Sequence, residues 1–135
     1  MVQSMADLIV LLDTSILIDY FRKENKEKTY LYIVSKDYDL AISTITEFEF
    51  LNGVNDKNID TVNSLLKEFL ILDFNSECAK ISSKIYKNLK KINKLIPPPD
   101  IFIAATAINN NMELVTLNEN HFQHISGLKL LKRTN

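Results

Sequence analysis

Leu8-Ile9-Val10-Leu11-Leu12-Asp13-Thr14-Ser15 opens with five apolar residues in a row and stops at a carboxylate. A short run of this kind, rich in branched side chains, reads as a strand covered on both faces, as in a parallel sheet. Ser15-Ile16-Leu17-Ile18-Asp19-Tyr20-Phe21 then reads as a helix, with Thr14 or Ser15 placed to cap it. Asp13 therefore falls at the carboxyl end of a buried strand, in the crevice where open α/β sheets bind ligands. A carboxylate there needs a partner, because an unpaired buried charge is costly.

The same alternation continues downstream. After a charged turn at 23–28, a helix is expected around Leu31, Ile33 and Val34, and a strand over Tyr38–Ile42. Ser43 or Thr44 starts a helix through Ile45, Phe48 and Leu51 that ends at Asn52-Gly53. Ile59, Val62, Leu65, Leu66 and Phe69 keep helical spacing over 56–69, and Ile71-Leu72 makes a third strand. Asn75 or Ser76 caps a long helix with an apolar stripe at Cys78, Ile81, Ile85, Leu89 and Ile92. Pro97-Pro98-Pro99 stops that helix and imposes an extended approach to the next. Ile101–Ile108 is apolar nearly all round, which predicts a deeply buried helix. Glu113–Thr116 reads as a fourth strand and Leu128–Leu131 as a last, edge strand. Strands alternating with helices predict an α/β fold, a mostly parallel central sheet with helices on both faces. The expected organisation is a single domain over 1–135.

Composition narrows the function. A net charge of −1 argues against tight, non-specific binding to duplex DNA. Two glycines, Gly53 and Gly127, leave no glycine-rich phosphate loop, so nucleotide cofactors held that way are not expected. One cysteine, Cys78, cannot form an internal disulfide and fits a reducing compartment. The only long apolar run near the start, five residues, is too short for a signal peptide or a membrane span. A cytoplasmic protein without membrane partners is expected.

Three acids stand out by position: Asp13 at a strand end, Glu49 on a helix that follows a strand, and Asp100 at the opening of the apolar helix. The positive end of a helix dipole favours an anion at that last place. Asn118, just after the fourth strand, offers a further oxygen. In a parallel sheet these strand ends and helix starts converge on one edge, where the carboxylates repel. A divalent cation removes that repulsion. Oxygen ligands without a His or Cys cluster suit Mg²⁺ or Mn²⁺, not zinc. Such a site activates water and steadies a phosphate during displacement.

Four segments carry a family resemblance. They are Leu12-Asp13-Thr14-Ser15-Ile16-Leu17-Ile18-Asp19, Ser43 through Gly53, Asp100-Ile101-Phe102-Ile103-Ala104-Ala105-Thr106-Ala107, and Leu114-Val115-Thr116-Leu117-Asn118. In order and spacing they resemble the four motifs of the PIN-domain family, above all its VapC-like toxins of bacterial toxin–antitoxin pairs. The resemblance implies a three-layer α/β/α sandwich, a Mg²⁺-dependent ribonuclease, a homodimer, and an antitoxin that blocks the site. By motif position it implies Asp13, Glu49 and Asp100 as acidic ligands, with Thr14 and Thr116 as polar support. The family often has an Asp three residues beyond the Asn118 position, before a Phe; here that residue is His121, before Phe122. A PIN fold that only binds RNA or protein is the competing expectation.

One charged feature stands apart from the acids. Lys80, Lys84, Lys87, Lys91 and Lys94 recur at helical period opposite the Cys78–Ile92 stripe. Such a face is usually just solvated. As an RNA-backbone track it would use Lys84, Lys87 and Lys91.

Overall fold

The structure, a computed structural model, describes residues 9–132. Leu8, the first residue of the expected opening strand, lies outside them. Four parallel strands, β1 (Ile9–Leu12), β2 (Asp39–Ser43), β3 (Leu70–Leu72) and β4 (Leu114–Val115), form a sheet in the order β3-β2-β1-β4. Seven α-helices among the described residues surround it: α1 (Thr14–Arg22), α2 (Tyr30–Ser35), α3 (Thr44–Asn52), α4 (Ile59–Leu66), α5 (Ser76–Lys91), α6 (Pro98–Asn109) and α7 (Glu119–Phe122).

Side chains alternate across the sheet, so the opening run feeds two cores at once. Val10 and Leu12 pack with Ile16, Leu17, Ile42 and Phe50 on one face. Leu11 packs with Ala41, Leu89, Ile101, Ile103 and Leu114 on the other. The expected three-layer sandwich is present. From β1 the chain runs outward to β2 and β3 on one side, and β4 returns on the other. The order therefore reverses between β1 and β4, and a ligand crevice belongs at their carboxyl ends.

Several local expectations need correction. The last strand is reduced to a single parallel bridge between Leu130 and Leu114, because β4 offers only two residues to pair with. The expected helix over 56–69 divides into a 3₁₀ turn at 56–58 and α4, which stops at Leu66. α5 ends at Lys91, where Asn93 takes a left-handed conformation (φ 57°), so Ile92 is exposed and Lys94 lies beyond the helix. Pro98 and Pro99 do not stand before α6 but begin it, where a missing N–H costs nothing. On α3 the buried positions are Thr46 and Phe50, and Phe48 is 66% exposed. Ser43 and Asn75 cap α3 and α5 through their side chains, as their residue types suggest.

Candidate active site

The site is built at the reversal of strand order. Asp13 N–H donates to the Val115 carbonyl at 2.8 Å, which ties the ends of β1 and β4 together. The Asp13 side chain is 3% exposed and does not cap α1, although the residue sits at the cap position. Thr14 and Ser15, expected as caps, are instead the first two residues of the helix. Their hydroxyls serve the acids. Ser15 Oγ and Thr116 Oγ1 each donate to Asp13 Oδ2 at 2.8 Å. Backbone amides hold those hydroxyls in turn: Leu117 N–H donates to Ser15 Oγ at 3.2 Å, and Asn118 N–H to Thr116 Oγ1 at 2.9 Å. One oxygen of Asp13 is thus fixed by two oriented donors. Among the described residues nothing donates to the other, Oδ1.

Glu49 comes from α3. Its Oε1 lies 2.7 Å from Thr14 Oγ1, which is also 3.0 Å from Thr46 Oγ1. Thr14 has one proton, and the carboxylate takes it; the second contact is then a donation from the buried Thr46 hydroxyl. Thr14, the residue after Asp13, thereby ties Glu49 to the start of α1.

Asp100 is the third residue of α6, within the first turn, where the helix dipole favours its charge. Its carboxyl nevertheless has a pKa above the usual Asp value. Burial is the largest cause, and the nearby negative charge of Asp13 adds to it, against the hydrogen bond and the charge of His121. His121 Nδ1 stands 3.0 Å from Asp100 Oδ2. A carboxylate can only accept, so the ring proton is on Nδ1 and donates to Asp100.

Not every expected residue gathers here. Asp13 and Asp100 feel each other's charge, whereas Glu49 is turned to Thr14. Among the described residues no group of three or more His, Cys, Asp or Glu side chains stands close enough to hold one metal ion. The Asn118 side chain is exposed and makes no hydrogen bond among the described residues; its carbonyl accepts from His121 N–H at 3.0 Å. Lys84, Lys87 and Lys91 are exposed on α5. Lys84 borders a hollow of about 260 Å³ shared with Ile108 and His124, at the far end of α6 from Asp100. Ser15, expected only as a cap, and Thr46 are the residues at the acids that the sequence did not mark. The signal for both was the density of hydroxyls around the first two motifs.

Comparison with known proteins gives the family of the chain. The pattern of the PIN-domain family matches residues 10–128. Ribonuclease VapC1 of Methanocaldococcus jannaschii is 40% identical over 124 residues, covering 90% of this chain and 85% of the relative. Among solved structures, VapBC-1 from nontypeable Haemophilus influenzae is similar with a TM-score of 0.79 and 27% identity, over 92% of this chain and 97% of that one. A toxin–antitoxin complex from Klebsiella pneumoniae is similar with a TM-score of 0.72 and 29% identity, over 88% and 94% of the two chains. With the family pattern spanning nearly the whole sheet and every acid of the site, the chain belongs to the PIN-domain family, alongside the VapC proteins.

Proposed function

We infer that this protein is an endoribonuclease, the toxin of a toxin–antitoxin pair, that hydrolyses RNA phosphodiester bonds at Asp13 and Asp100 with a divalent cation, Mg²⁺ or Mn²⁺. The observation that carries the reading is a pair of carboxylates at the switch point, each with one oxygen held by the protein and one left without a donor among the described residues. Their mutual repulsion and their all-oxygen chemistry fit a hard cation. Asp13 and Asp100 would hold it, and Glu49 would add charge beside them through Thr14. When bound, such an ion lowers the pKa of water and offsets charge on the phosphate.

The chain's own residues do the positioning. Ser15 and Thr116 fix Asp13; Thr14, itself held by Thr46, fixes Glu49; and α6 presents Asp100 from its first turn. No serine or cysteine is hydrogen-bonded to a histidine among the described residues, and Cys78 is buried. Among the described residues no side chain is therefore prepared as a nucleophile, and with a cation bound at the acids the attacking group would be water, the RNA's own 2′-hydroxyl being the alternative that the product ends distinguish. The free buried thiol of Cys78 suits a reducing cytoplasm. No helix among the described residues is long and apolar enough to cross a membrane.

The VapBC and toxin–antitoxin structures with the same fold support an antitoxin as the protein partner. The working form is a homodimer. A labelled single-stranded RNA incubated with the purified chain tests the activity: wild type with Mg²⁺ should cleave it, and Asp13→Asn and Asp100→Asn should not. RNA binding without cleavage under all metal conditions would favour a non-catalytic binding module.

A further inference from the structure

His121 occupies the surface turn of α7 and is half exposed, yet its ring is held on Asp100. That contact takes up one lone pair of Asp100 Oδ2. Asp13 Oδ2 likewise accepts from Ser15 and Thr116. Each of the two neighbouring acids is thus left with a single oxygen, Oδ1, that no described residue engages. The two neighbouring acids together carry two negative charges, which balance one divalent cation and not two. The ring adds no negative charge that would balance a second divalent ion. Glu49, turned to Thr14, does not complete a second set, and no cluster of three ligating side chains exists among the described residues.

We propose that His121 is a positioning residue of the cation site: its Nδ1–H holds Asp100 Oδ2 and leaves Oδ1 free for the cation, and the two acids beside it take a single divalent cation per chain. The inference rests on the cation reading above and adds the count of ions and the residue that orients Asp100. Partners that orient a metal ligand in this way typically change affinity by 10–100-fold when removed.

Calorimetric titration of the full chain with Mn²⁺ alone, without RNA, reads both affinity and stoichiometry. Wild type should bind one Mn²⁺ per chain. His121→Ala should weaken binding by about tenfold or more, whereas His121→Asn, whose amide can still donate to Asp100, should recover most of it. Asp100→Asn should lose binding, and thermal melts of all variants report whether they fold. Two results overturn the His121 proposal alone: two Mn²⁺ ions per wild-type chain, or His121→Ala binding as tightly as wild type while Asp100→Asn does not bind. Mn²⁺ binding that is absent from wild type, or unchanged in Asp100→Asn, overturns the cation reading and the His121 role with it.

Discussion

At the scale of single residues, the carboxylates are held by different kinds of donor, hydroxyls on Asp13 and an imidazole on Asp100. Asp13 is buried and takes two hydroxyl donors on one oxygen. Thr116→Val removes one of these donors and leaves the Asn118 amide without its acceptor. Hydrogen bonds to a charged group contribute more than neutral ones, so the substitution should cost about 2 kcal/mol. Urea denaturation measures this, and a midpoint equal to wild type would show that Thr116 does not hold Asp13. Asp100 gives a pH-dependent effect. Its pKa in the folded chain lies above the unfolded value, so between the two the folded state binds more protons, and stability falls as pH rises. Below the ordinary Asp range both states are protonated and nothing is lost; above the raised folded value the full cost is present. Asp100→Asn should therefore stabilise the metal-free protein at neutral pH and have little effect in acid. Melting curves in chelator across that range check it; a larger gain in acid than at neutral pH would contradict the assignment. The positions of Asp13 and Asp100 were legible in the sequence because a strand end and a proline-led helix start leave few places for a side chain to go. The role of His121 was not legible: its contact spans 21 residues and depends on how α7 folds back onto α6.

At the scale of elements, α3 and α5 show where periodicity succeeds and fails. On α5 the apolar stripe places Cys78, Ile85 and Leu89 in the core, and the lysines face outward. On α3 the stripe misleads, because the face toward α1 and α6 is chosen by Thr46 and Phe50, and the hydroxyl of Thr46 is satisfied by Thr14. A buried polar group with a partner defeats a reading that assumes apolar residues lie inside. The short β4 and the missing fifth strand have the same origin: strand length here is set by pairing available from a neighbour, which sequence does not state. The lysine face of α5 yields a separate prediction. Lys84 shares a hollow with Ile108, which lies about eight residues of helix, on the order of 12 Å, beyond Asp100 along α6. If RNA follows this face, changing Lys84, Lys87 and Lys91 together to Gln should weaken RNA binding and reduce the steepness of its salt dependence. Binding isotherms at several salt concentrations decide it; superimposable curves would mean the face is only solvated.

At the scale of the whole molecule, the fold follows from two simple patterns, the unbroken apolar run of β1 and the alternation of strands with helices. Together they demand a parallel sheet covered on both sides, and the order β3-β2-β1-β4 then puts the crevice where Asp13 and Thr116 stand. What the sequence could not show is the surface. Phe48, Leu70, Tyr86 and Leu95 are large apolar side chains left exposed, and any of them that gather into one contiguous patch would mark an interface with a second copy of the chain. Sedimentation equilibrium should accordingly give a mass of about twice the 15.5 kDa of one chain; a single-chain mass at micromolar concentration would contradict the homodimer. The central claim is the chemistry, and the ends of the cleaved RNA test it most directly. A labelled single-stranded RNA is incubated with the protein in Mg²⁺ or in excess chelator, and the termini are identified. Attack by water leaves a 5′-phosphate on one fragment and a 3′-hydroxyl on the other, and only when the cation is present. Cleavage that persists in chelator and leaves a cyclic phosphate would mean that the RNA's own 2′-hydroxyl attacks, and would contradict both the cation site and the role assigned to Asp13 and Asp100.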